Sequence, residues 1–193
     1  MNELIKRIRV FSLFWATIPF YFLIPFLRSS INCPQWVLYI DQFIPFIGWM
    51  VIPYYSYYIL IIIPPFIIKD KERLSSLTYT LIKATIFCYI FYILWPISSS
   101  DILKQVDVEN SFFFLHSSIT FDFLNQNAFP SMHVFVSTII ALVLVKELPK
   151  FKILFYLSAA GIFFATFLIK QHYVLDSISG LIIAVVAYFL YHK

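Results

Sequence analysis

Two short stretches hold the residues best suited to chemistry. The first is Asn127-Ala128-Phe129-Pro130-Ser131-Met132-His133. Proline is favoured at the first position of a helix, where its missing N–H is no loss. With Pro130 in that position, Ser131, Met132 and His133 occupy the first helical turn. The unpaired N–H groups and the dipole of such a turn attract an anion, and a hydroxyl with an imidazole there suits a phosphate. The second stretch is Lys170-Gln171-His172-Tyr173-Val174-Leu175-Asp176. His and Asp four apart share one helical face. Asp176 can therefore accept the Nδ1–H of His172, fixing the tautomer and leaving Nε2 as a base or nucleophile. Each stretch alone has an ordinary reading, since a histidine at a helix end is commonly interfacial and His-x-x-x-Asp is a frequent spacing. The pair is sharper if the fold brings both to one place.

The elements that must do so are membrane helices. Of the 193 residues, 61% are hydrophobic and only 12% charged, with a mean hydropathy of +0.85. Soluble chains run near half apolar and about a quarter charged. A spanning helix needs about 20 apolar residues, and six runs qualify: 10–27, 44–66, 74–95, 130–148, 151–169 and 173–191. They are long and continuously apolar, unlike the short alternating segments of a β-barrel. The expected fold is thus all-α, a six-transmembrane helix bundle forming one domain over 1–193. The first run follows Lys6-Arg7-Arg9 but is too long for a signal-peptide core and lacks a small-x-small cleavage site, so it is expected to stay as a span. Cys33 and Cys88 form no disulfide or metal pattern.

Charge sets the expected orientation. With the start of the chain in the cytoplasm, the inner segments hold Lys6, Arg7, Arg9, Lys69, Lys71, Arg73, Lys146, Lys150, Lys152 and Lys193, and the outer ones only Arg28, Lys104 and Lys170. Both ends of the chain then face the cytoplasm. The turn before His172, the entry to the run holding His133, and the long polar loop 96–129 face outward. His192 falls on the inner side as an interfacial residue, while Trp36 and Trp95 mark the outer interface. An uncleaved six-span chain with an Ile/Phe/Lys bias suits a bacterial cytoplasmic membrane, with an endomembrane as the alternative. The net charge of +4 is a topology signal; a nucleic-acid partner would need cations clustered on one polar face. His116, His133 and His172 all fall on the outer side, so a zinc site built from imidazoles is a rival reading of the same residues.

These residues also carry a family resemblance. The chain resembles the type-2 phosphatidic acid phosphatase superfamily, with its membrane acid-phosphatase/haloperoxidase-like fold, and within it the branch of inositol phosphorylceramide synthase-like proteins. Pro130-Ser131-Met132-His133 matches the second family motif, and His172 with Asp176 the end of the third. Asn127, Ile44-Pro45-Phe46, Trp49 and Pro53-Tyr54 are similar to that branch. The resemblance implies a phosphatase acting on a lipid phosphate or diphosphate at the outer face. His172 would attack phosphorus, Asp176 would orient it, and His133 would protonate the leaving oxygen and then activate the acceptor. Ser131, Met132 and Asn127 would help to hold the phosphate. The family implies no cofactor and no metal.

Two family motifs depart from the pattern. The first motif, Lys, six residues, then Arg-Pro, falls on Cys88 and Trp95-Pro96. The Ser-Arg that precedes the third-motif histidine falls on Ala165 and Thr166. Phosphoryl transfer relies on cations to neutralise charge. Lys170, one turn after Thr166 in helical phase, and Lys104, in the long loop, are the expected replacements. Transfer to an alcohol instead of water is a close variant of the same chemistry. A non-catalytic protein that binds lipid head groups is the reading that follows if the missing cations are not replaced.

Overall fold

The computed structural model describes residues 2–191; His192 and Lys193, placed above on the inner side, lie outside the described residues. Among the described residues the fold is all-α, with one isolated bridge pairing Ile31 and Ile97. In order, the helices are α1 (Glu3–Trp15), α2 (Ile18–Leu23), α3 (Gln35–Asp41), α4 (Val51–Leu60), α5 (Pro64–Ile67), α6 (Lys71–Leu94), α7 (Ser100–Leu103), α8 (Phe113–Ser117), α9 (Met132–Glu147), α10 (Lys152–Leu168) and α11 (Val174–Tyr191).

Among the described residues, four stretches are long and apolar enough to cross a membrane: Glu3–Phe26, Lys71–Leu94, Pro149–Leu168 and Val174–Tyr191. Two expected runs take another form. The run 44–66 is broken into α4 and α5, because Pro64 and Pro65 lack N–H donors and the Pro64 ring would collide with the carbonyl of Leu60 in a continuous helix. Pro53 causes no such break. It lies in the first turn of α4, where backbone N–H groups have no helical partner. The run 130–148 gives α9, with only 16 residues. Ser131 is its N-cap, so Pro130 precedes the helix instead of opening it.

The short α9 is the centre of the bundle. It packs against α4, α6, α10 and α11. Eleven of its side chains are buried, among them Phe135, Ile139, Ile140 and Leu144. A helix that is apolar all round belongs inside a protein or a bilayer, and here neighbouring helices cover most of it. The main core joins Phe11 and Phe14 of α1, Leu77 and Tyr92 of α6, and Phe135 and Ile139 of α9. The outward faces carry many large apolar side chains, including Ile86, Ile90, Leu157, Ile182 and Phe189. A continuous surface of that kind marks contact with lipid.

The two ends differ in charge. Arg73 on α6 pairs with Glu147 at the end of α9 at 2.9 Å, and Arg7 donates to the Ile68 carbonyl. Lys69, Lys71, Lys146, Lys150 and Lys152 therefore gather at one end of the bundle, with His133 at the opposite end of α9. Lys83 lies on the exposed side of α6, between the two.

Phe135 is fully buried in α9. Phe135→Ala is expected to cost about 3–5 kcal/mol through lost packing and a residual cavity. A lowered thermal midpoint in detergent checks this, and an unchanged midpoint would contradict the central position of α9.

Candidate functional site

The start of α9 is fixed from three directions. The Ser131 side chain accepts from the Val134 N–H at 3.5 Å, the Ser131 N–H donates to the Asp176 carbonyl at 2.9 Å, and the Tyr92 hydroxyl donates to the Pro130 carbonyl at 2.7 Å. The Phe129–Pro130 peptide is cis. Gly180 of α11 faces Ser131 so closely that a Cβ would overlap the Ser131 carbonyl oxygen. This close approach lets α11 deliver the chain before it to His133.

His172 sits just before α11, in the connection from α10. Lys170 there has φ of 61°, and the N–H groups of Gln171 and His172 both donate to the Thr166 carbonyl at 3.1 and 3.0 Å. A left-handed residue after the last turn is a common helix stop. It turns the chain back, so His172 meets His133 instead of continuing outward. Thr166 Oγ1 and Ser177 Oγ, 2.7 Å apart, tie α10 to α11 below the turn.

The imidazoles form the centre of the site. His133 Nδ1 lies 3.3 Å from His172 Nε2, His172 Nδ1 lies 3.0 Å from the Ala128 carbonyl oxygen, and Tyr54 Oη lies 2.8 Å from His133 Nε2. One proton arrangement satisfies the whole chain. Tyr54 donates to His133 Nε2, His133 Nδ1–H donates to His172 Nε2, and His172 Nδ1–H donates to Ala128. A carbonyl oxygen can only accept, so it fixes the His172 tautomer with the lone pair on Nε2. The sequence points to Asp176 for that task. Its Oδ2 is 3.6 Å from His172 Nδ1 and accepts the Tyr173 N–H at 2.9 Å. At that range Asp176 supplies negative charge beside the ring more than a direct hydrogen bond. The difference arises because His172 lies outside α11, so the one-face geometry of an i, i+4 pair does not apply.

The histidines line a cavity of about 140 Å³ with Tyr54, Tyr57, Tyr58, Asn127, Met132 and Gln171, and with Ile18, Phe22 and Phe121 among its apolar wall. The rings of Tyr54 and Tyr57 pack on His133 at centroid distances of 4.9 and 4.6 Å. Among the described residues, no lysine or arginine lines this cavity. Asn127 donates Nδ2 to the Tyr21 carbonyl at 2.6 Å and keeps Oδ1 buried without a partner. Its available atom is therefore an acceptor, which matches a hydroxyl better than an ionised phosphoryl oxygen.

The two candidate cations lie elsewhere. Lys104 pairs with Asp101 at 2.8 Å and its side chain is 74% exposed. Lys170 is buried, with Nζ 2.5 Å from the Ile44 carbonyl and 3.4 Å from that of Asp41. The left-handed turn breaks the helical phase that would have placed it over the site. Burial pushes the Lys170 ammonium down from its usual range, and the negative charge of Asp41 opposes that. Burial pushes the carboxyl of Asp41 up to about 6, with the Val174 N–H acting the other way. His116 is held apart from the histidine pair by a 2.7 Å contact between its Nε2 and the Ile169 carbonyl, and burial lowers its proton affinity.

A helical bundle with this pair of motifs at one end narrows the family, and the PAP2 superfamily pattern matches residues 28–190. The chain belongs to the PAP2 superfamily. No curated protein and no solved structure matches it. In this PAP2 chain the family's cation positions are neutral, Cys88 and Thr166 buried and Trp95 exposed. Cys88 lies in the main core, and Thr166 is spent on Ser177. The site residues not singled out from sequence are Tyr57, Tyr92, Gly180 and Gln171. A signal existed for the tyrosines, since Tyr54 and Tyr57, three apart, share one face of an otherwise apolar run.

Gly180→Ala is expected to force α11 from the start of α9, at a cost of about 1–3 kcal/mol. Thermal unfolding of the purified variant measures it; a midpoint equal to wild type would contradict the close approach.

Proposed function

We propose that this PAP2 chain cleaves a membrane lipid phosphate or diphosphate through a phosphohistidine on His172. The observation that carries the reading is the hydrogen-bond chain Tyr54–His133–His172–Ala128 beside a cavity within a lipid-facing bundle. His172 offers a lone pair on Nε2, with the opposite nitrogen held by a carbonyl. His133 holds a proton next to it. Separate nucleophile and acid–base groups are what two-step phosphoryl transfer requires.

Substrate entering from the cavity would part the two rings. The His172 Nε2–P bond forms as the P–O bond to the lipid breaks, and His133 gives its proton to the departing oxygen. His133 then takes a proton from water, whose oxygen attacks phosphorus and releases His172. Asp176 would stabilise the positive charge that His172 carries while phosphorylated. Ser131 and the backbone N–H groups of Met132 and His133 would bind phosphoryl oxygens at the start of α9. Lys104 would reach the site only on leaving Asp101, and Lys170 would act from behind the loop instead of on the phosphate.

In this reading all six apolar runs cross the bilayer as one domain over 1–193, the broken 44–66 and the short 130–148 included. The cation-rich end faces the cytoplasm and the histidines face outward, as in a bacterial cytoplasmic membrane. Transfer to an alcohol, as in the inositol phosphorylceramide synthase-like branch, is favoured by one observation. The free Oδ1 of Asn127 is an acceptor suited to a hydroxyl group.

The test is a panel of lipid phosphates and diphosphates, with and without an alcohol acceptor. Wild type is expected to release phosphate or form the transfer product, and His172→Ala to lose the rate by about 10³-fold or more. Equal turnover by wild type and His172→Ala across the panel would end the catalytic reading.

A further inference from the structure

The loop that carries His172 is tied down on both sides by one distant stretch of chain. Before the histidine, the Ile47 N–H donates to the Leu168 carbonyl at 2.9 Å, and Lys170 Nζ reaches the carbonyls of Ile44 and Asp41. After it, the Val174 N–H donates to Asp41 Oδ1 at 3.0 Å. Asp41 and Lys170 are both 1% exposed. Neither lines the cavity of the histidines.

Burying a carboxylate and an ammonium is costly unless each is satisfied. Fastening a loop between two helices could be done with apolar contacts alone. Here a side-chain acceptor meets the N–H that opens α11, and a side-chain donor fills two carbonyls at the end of α3 and just beyond it. The pair brackets five residues, 170–174, with His172 in the middle. Asp41 Oδ2 is buried without a hydrogen-bond partner, and the nearby positive charge of Lys170 offsets part of the cost of burying it.

We propose that Asp41 is a positioning residue for the nucleophile. With Lys170 it forms a strap that holds the 170–174 loop so that His172 Nδ1 stays on the Ala128 carbonyl and Nε2 stays aimed at the cavity. The proposal rests on the reading of His172 as nucleophile for its effect on rate, but the strap can be measured without turnover. Asp41 Oδ1 needs only to accept a hydrogen bond, so an asparagine at 41 keeps the strap and an alanine removes it. A shift of about 1 Å in a reacting group can cost on the order of 100-fold in rate.

The experiment uses the purified full chain in detergent. Initial rates on dioleoyl phosphatidate are measured for wild type, Asp41→Ala, Asp41→Asn, Lys170→Met and the Asp41→Ala/Lys170→Met double variant, with His172→Ala as baseline. Histidine nitrogen NMR on the same samples reads which ring nitrogen of His172 carries the proton. Asp41→Ala is expected to lower kcat about 100-fold at nearly unchanged KM, and to replace the single Nδ1–H tautomer of His172 by a mixture. Asp41→Asn should regain most of both. Lys170→Met should act in the same direction, and the double variant should be no worse than the poorer single, as for groups acting in one unit. A wild-type His172 signal in Asp41→Ala would overturn the strap, as would a kcat loss matched by an equal rise in KM. If Asp41→Ala fails to fold, Lys170→Met decides in its place by the same two readouts. If wild type turns over no faster than His172→Ala, the catalytic reading falls and the NMR still judges the strap.

Discussion

The contact on which the site depends is the 3.3 Å approach of His133 Nδ1 to His172 Nε2. Each ring is held from its far side, His133 by the Tyr54 hydroxyl and His172 by the Ala128 carbonyl. With both outer partners fixed, only one distribution of protons satisfies every atom. A buried polar chain that is fully satisfied specifies a single geometry, whereas a broken one is costly. The surrounding fold can be read as the means of keeping the two rings in register. Gly180 lets α11 approach α9, Tyr92 holds Pro130, and the left-handed turn at Lys170 folds His172 back over the bundle.

Charge is scarce, and where it sits separates the two ends of the molecule. Most lysines and arginines lie at the end of α9 away from the histidines. Of the cations nearer the site, Lys104 is paired with Asp101 and Lys170 is turned to backbone carbonyls. The polar part of the cavity lining is therefore chiefly tyrosines, amides and imidazoles, beside an apolar wall. A developing phosphoryl charge would meet helix N–H groups and imidazole protons there, which act strongly where water is excluded. In the proposed reaction that would place more of the catalytic demand on the orientation of His133 and His172 than in a site ringed by arginines.

Much of this was legible from residue order. Pro130-Ser131-x-His133 and His172-x-x-x-Asp176 do come together, and the apolar runs do form a helical bundle. Particular features were not legible, for physical reasons. The direction of Lys170 was inferred by continuing the phase of α10, but the helix ends at Leu168 and the next turn reverses the chain. The partner of His172 Nδ1 is a backbone carbonyl 44 residues away, and every residue carries such a group, so no residue type signals it. Asp41 belongs to no motif spacing in the sequence. Its contact with Val174 spans 133 residues and appears only when the loops fold together. The break at Pro64-Pro65 could be read locally, since two successive residues without N–H donors cannot continue a helix.

The central claim is that His172 carries phosphorus during turnover. The most direct measurement is to mix the purified chain with phosphatidate bearing a radioactive phosphoryl group and stop the reaction in alkali within milliseconds. Peptide mapping then locates the label. Label is expected on His172, surviving alkali and lost in acid, as a phosphorus–nitrogen bond requires. Turnover without protein-bound label, or label on any other residue, would contradict it.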